Sequence, residues 1–119
     1  MTDRSRDIAA IISEAAARRQ PLYINGGGSK RRLLGRDCEA QALEISGHTG
    51  ITDYQPSELV LTARAGTPLA EIVAALGQEG QVLPFEPPLF DNRATLGGTV
   101  ACNMSGPARP WAGSARDMV

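Results

Sequence analysis

The sequence predicts an α+β fold, a small mixed or parallel sheet flanked by helices, on three observations. Apolar residues recur at helical spacing in two segments, short apolar runs separate those segments, and glycine- and proline-rich stretches interrupt both. With 119 residues and 42% hydrophobic content the chain can bury one modest core. One domain, or a piece of one, is therefore expected.

Ile8, Ile11, Ile12, Ala15 and Ala16 line up on one helical face, with Glu14, Arg18 and Arg19 free to meet water. A first helix from about Asp3 to Arg19 follows, ended by Pro21. Leu22 to Ile24 is a short strand-like run. Asn25-Gly26-Gly27-Gly28-Ser29-Lys30 must be a loop, because three consecutive glycines give up too much backbone entropy inside a helix or strand. Leu43 to Ile45 reads as a second strand, Gly47 to Gly50 as a turn, and Ile51 to Tyr54 as a third strand. The strongest strand signal is Glu58 to Ala65, whose Leu59-Val60-Leu61 run suits a central strand covered on both faces.

Thr67 and Pro68 form a helix start, with a capping hydroxyl and a proline at the first helical position, which puts Glu71 one place beyond a full capping box. Leu69, Ile72, Val73 and Leu76 then mark a helical face that Gly77 and Gly80 bring to an end. Val82-Leu83 reads as another short strand, and Pro84 to Asn92, with three prolines, as an extended loop. Thr95 caps a short helix reaching about Met104, before Gly106 and Pro107. The last residues, Asp117 to Val119, carry no helical signal.

Charge and cysteine content exclude several functions. Twelve basic residues against thirteen acidic ones leave a formal charge of -1, without the positive stripe a nucleic acid needs. The cluster of Arg31, Arg32 and Arg36 is local and equally consistent with a solvated loop face. Cys38 and Cys102 are far apart and outside any metal-ligand spacing, so neither a disulfide scaffold nor a metal site is indicated, and a reducing compartment fits. The polar Met1 to Arg6 and the interrupted Ile8 to Ala17 stretch make neither a secretory signal nor a membrane span.

Two glycine segments remain as candidate sites. Gly26, Gly27 and Gly28 can present successive backbone N–H groups to a phosphate, with Ser29 adding a hydroxyl, although a tight surface turn would use the same residues. Neither standard nucleotide signature fits: Lys30 follows Ser29 in the wrong order for a Walker A loop, and the third glycine of a Rossmann fingerprint is missing. In Ala94 to Pro107, Gly97 and Gly98 permit close approach to the backbone, while Thr95, Thr99, Asn103 and Ser105 offer uncharged hydrogen-bonding groups. Such a set suits a neutral heterocycle with a phosphate better than a metal.

At this spacing the two segments resemble those of FAD-binding domains of the vanillyl-alcohol-oxidase type, also called the PCMH type. Asn25 to Lys30 matches the family's pyrophosphate loop, Ala94 to Pro107 its later flavin-side segment, and Gln55 to Val60 with Ala65 to Leu69 the strand, turn and helix between them. Pro84 to Pro88, Ala94 to Gly98 and Ser105 to Pro110 are most similar to the branch formed by the FAD-binding subunits of bacterial glycolate oxidases.

The resemblance implies the first α/β subdomain of such a domain, with residues 1–119 as its N-terminal portion and the second FAD subdomain and substrate domain absent. It implies FAD as cofactor, held by Asn25, Gly26, Gly27, Gly28, Ser29 and Lys30 on one side and by Thr95, Gly97, Gly98, Thr99, Asn103 and Ser105 on the other. Lys30 or Arg31 would offset the pyrophosphate charge, against solvation as the plain reading of each.

Some relatives tether FAD through a histidine in the first loop. Gly28 stands at that place and His48 lies too far along, so non-covalent FAD is expected. Cys102, in an apolar run, reads as a buried packing thiol, His48 as an exposed turn residue and Trp111 as structural. No catalytic residue or metal ligand is assigned.

By the same resemblance the protein would be an FAD-dependent component of a complex oxidising a small 2-hydroxy acid. It would be partnered by a related catalytic flavoprotein subunit and an iron–sulfur subunit, and would be cytoplasmic, with any membrane contact made through the complex. The 119 residues alone would bind FAD weakly or not at all. The alternatives are another flavin oxidoreductase of the same type and an assembly subunit that has lost its cofactor.

Overall fold

The computed structural model describes residues 1–119, the Arg32 side chain excepted. In chain order, helix α1 (Ser5–Ala17) leads to β1 (Leu22–Asn25), the single turn α2 (Arg31–Leu34) and β2 (Gln41–Glu44). There follow β3 (Ile51–Gln55), a 3-10 turn (Pro56–Glu58), β4 (Val60–Ala63), α3 (Leu69–Gln78), α4 (Leu96–Cys102), α5 (Arg109–Ala112) and a final 3-10 turn (Ala115–Met118). The sheet is mixed but split: β1 pairs parallel with β2, and β3 pairs antiparallel with β4.

Helix α1 is shorter than expected at both ends. Asp3 lies outside it, its Oδ1 accepting from the Ser5 N–H at 2.9 Å and the Ser5 hydroxyl at 2.7 Å, while Oδ2 meets Arg64 at 3.2 Å. These bonds, the Ser5 hydroxyl first, hold the Asp3 carboxyl down at about 2. Because the folded value lies below the ordinary carboxylate value, the stabilisation is complete above about pH 4 and is lost as pH falls through about 2. We expect the Asp3 carboxyl carbon to titrate near pH 2 by NMR; a midpoint near 4 would show that the bonds do not persist in solution.

At the other end Arg19 turns left-handed, at φ 52°, and the chain leaves the helix there, before Pro21. Its N–H donates to Ala16 and that of Gln20 to Ala15, closing the last turn. Only Ala15 of the apolar face is buried, and Ile12 remains 47% exposed.

The core lies around α3. Leu69, Ile72 and Leu76 pack with Ala94, and Ile51, Tyr54, Leu61, Leu89 and Phe90 close over them. Thr67 is fully buried, yet it does not cap the helix: its hydroxyl accepts from the Gly50 N–H at 2.9 Å. Pro68 takes the N-cap position, so Glu71 falls three places on; proline, with neither hydroxyl nor N–H, makes no capping box. At the far end α3 runs through Gly77, and the left-handed residue that stops it is Gly80, at φ 67°.

Three strand expectations are corrected. Val82-Leu83 is not a strand, and β2 runs from Gln41 to Glu44, without Ile45. Glu58 to Ala65 yields only Val60–Ala63, because Leu59 turns left-handed after the 3-10 turn and breaks the extended run. Far from being covered on both faces, β4 alternates, with Val60 51% exposed. The stretch Pro84 to Asn92 is not simply extended, since Phe90, Asp91 and Asn92 are successively left-handed, at φ 48°, 57° and 62°. The chain end also gains structure, as Ser114 and Asp117 form a capping box at the last 3-10 turn.

Candidate functional site

The glycine loop is built by close packing. A Cβ on Gly27 would lie 1.7 Å from the carbonyl oxygen of Arg93, and one on Gly26 2.8 Å from Thr95 Oγ1. Gly28 meets nothing closer than 3.6 Å and is required by its φ of 68°. The loop therefore lies directly on the 93–95 segment that leads into α4. Among the described residues, no N–H group from Gly26 to Lys30 donates to another part of the protein. Such a row of free donors is a cradle for an anion.

Between this loop and α4 lies a cleft of about 620 Å³. Asn25 to Lys30, Thr95, Gly97 and Gly98 all line it, so the structure brings the two predicted segments together. The two glycines of α4 differ in use. Gly97 is packed on Ala65 and donates to its carbonyl at 2.8 Å. Gly98 faces the cleft, and a Cβ there would stand 3.6 Å from Lys30 Nζ. Its N–H donates to Thr95 Oγ1 at 3.2 Å, which confirms Thr95 as the cap. Asn25 is anchored to β2 through Glu44, at 2.9 and 3.0 Å.

Thr99, Asn103 and Ser105 do not line the cleft. Thr99 is fully buried, and its hydroxyl has no hydrogen-bond partner among the described residues. Asn103 accepts from the Arg116 N–H at 2.9 Å and Ser105 from the Ala115 N–H at 3.1 Å. Both hold the last 3-10 turn against α4.

Lys30 is left open by the sequence between solvation and offsetting the pyrophosphate charge. It is not solvated, being only 7% exposed. Its ammonium bonds the Ser29 hydroxyl at 3.3 Å and lies 5.4 Å from the centre of the Phe90 ring. No ion pair reaches it among the described residues. Burial lowers its pKa from the ordinary lysine value, and the nearby Cys102 thiol only partly opposes that. A positive charge withdrawn from water without a counter-charge is costly unless an anion joins it. Arg31 stays exposed, stacked on Tyr23 at 4.9 Å, while Arg36 is exposed and the Arg32 side chain lies outside the described residues.

Several minor expectations change. Cys102 is exposed on the cleft wall, and Cys38 lines the same cleft. His48 is only partly exposed, and its Nδ1 accepts from the Arg4 N–H at 3.1 Å, tying the start of α1 to the turn. Trp111 is 87% exposed and packs no core. Sequence reasoning missed Phe90 and Cys102 as neighbours of the site. Cys102 stands four residues after Gly98 on one helix face, a spacing that carried the signal; Phe90 left none.

A family profile described as FAD binding domain matches residues 3–119. Glycolate oxidase subunit GlcE of Escherichia coli (strain K12) is 49% identical over 117 residues, which is 98% of this chain and 33% of that relative. The chain thus spans a third of the length of the curated relative it matches. No solved structure matches it.

Proposed function

The chain belongs to the family of FAD binding domains, and from that premise we propose that the cleft receives the pyrophosphate end of FAD. The observation that carries this is Lys30, a nearly buried ammonium without a counter-charge, beside a row of free N–H donors. A dianionic pyrophosphate satisfies both at once. Gly26 to Ser29 supply free backbone donors beside Asn25, the three glycines leave the space of missing side chains, Lys30 supplies charge, and Gly98 leaves the α4 wall open beside it. Thr95 shapes the wall by capping α4, while Asn103 and Ser105 support it from behind by fixing the C-terminal segment.

By its likeness to the glycolate oxidase subunit, we read the protein as the FAD-binding component of a complex that oxidises a small 2-hydroxy acid. When bound, FAD supplies the hydride-accepting chemistry. The described residues include no cluster that could hold a metal. The partners proposed are a related catalytic flavoprotein subunit and an iron–sulfur subunit. No described helix is long and apolar enough to cross a membrane, and a cytoplasmic complex is the location proposed.

Non-covalent attachment is proposed as well, since Gly28 offers no tether and the His48 Nδ1 is engaged by Arg4. Cys38 and Cys102, both free thiols exposed on the cleft, are the residues whose attachment to FAD the following measurement would reveal. The full-length protein is expected to show flavin absorption bands that pass a filter after denaturation. Bands retained with the polypeptide would refute the non-covalent attachment. A protein with no bands even in excess FAD would refute the cofactor assignment itself.

A further inference from the structure

The turn that carries Phe90 is held in a costly backbone conformation. Phe90, Asp91 and Asn92 are left-handed in succession, at φ 48°, 57° and 62°, and none is glycine. The turn is closed by bonds from the Arg93 N–H to Phe90 at 3.2 Å and from the Ala94 N–H to Leu89 at 3.1 Å. It is clamped on both sides: Phe90 packs on the core, and the Arg93 carbonyl fills the space a Gly27 side chain would occupy. This conformation places the Phe90 ring 5.4 Å from the Lys30 ammonium.

We propose that Phe90 is a positioning residue for the anion-binding ammonium of Lys30, holding the charge in the cleft without neutralising it. The proposal rests on the FAD reading above. A carboxylate at this place would make a closed ion pair that an incoming anion must break. A ring face attracts the cation through its quadrupole and carries no net charge, so the ammonium is held yet remains free for the pyrophosphate. Burial alone favours the neutral amine; the ring favours the charged form that the ligand needs.

The test is a double-mutant cycle in the full-length protein, reading FAD affinity and its competition by inorganic pyrophosphate. Phe90→Leu is expected to weaken both by about ten-fold, and Phe90→Tyr, which keeps the ring, to stay within about two-fold of wild type. In a Lys30→Met background Phe90→Leu is expected to cost nothing further, because the ring then has no charge to hold. Equal losses with and without Lys30 would make Phe90 a packing residue and overturn the proposal, as would wild-type affinity in Phe90→Leu. Should Phe90→Leu not fold, Phe90→Met replaces it in the cycle. A wild-type protein that binds neither FAD nor pyrophosphate would sink the FAD reading itself, a result distinct from either failure of the cycle.

Discussion

Replacing Gly27 by alanine is expected to destabilise the fold by roughly 3 kcal/mol and to abolish flavin retention. The new Cβ would fall 1.7 Å from the Arg93 carbonyl oxygen, which is backbone and cannot turn aside as a flexible side chain would. To make room, either the glycine loop must leave the 93–95 segment or the strained Phe90 to Asn92 turn must shift. Both movements dismantle the cleft, because its two walls are the parts pushed apart. Gly77→Ala is the matching control. Nothing lies within 4 Å of its Cβ inside α3, so it is expected to gain about 0.5–1 kcal/mol through helix propensity. Chemical denaturation of the two variants checks the pair, and equal stabilities would show that the loop and the segment do not meet in solution.

Lys30→Met is expected to move stability and binding in opposite directions. The cofactor-free protein should gain about 1 kcal/mol, because an ammonium buried without a counter-charge gives way to an apolar chain of similar length. FAD affinity should fall roughly 10- to 100-fold, the worth of a charged hydrogen bond. A lysine serving only packing would lose stability and affinity together. Melting temperature without flavin and a binding titration, made on the same variant, separate the two. A fall in both would count against an anion-binding role.

The pair of glycine segments was legible in the sequence because glycine signals backbone geometry locally, with no need to know what lies opposite. Which glycine serves which purpose was not. Gly27 and Gly97 are small because backbone from distant residues, Arg93 and Ala65, presses on them, whereas Gly28 answers to its own φ and Gly98 faces the cleft. The burial of Lys30 was equally hidden. Its neighbours Ser29 and Arg31 are polar, and the side chains that enclose it come from about sixty residues later. Thr67 followed by Pro68 looked like a cap by local rule, but the buried Gly50 N–H claimed the hydroxyl, since an unsatisfied buried donor costs more than an imperfect helix start.

By itself the sequence determined the helices with strong periodicity, the two loops and their family. Each depends on residues within one or two turns of one another, where spacing and backbone preference act directly. The tertiary structure alone decided where strands begin, as β4 does only after Leu59, and which polar groups are buried, as at Lys30 and Thr99. It also set the aromatic face against the ammonium. These depend on desolvation and close contact between segments far apart in the chain, and those energies exist only once the segments have met.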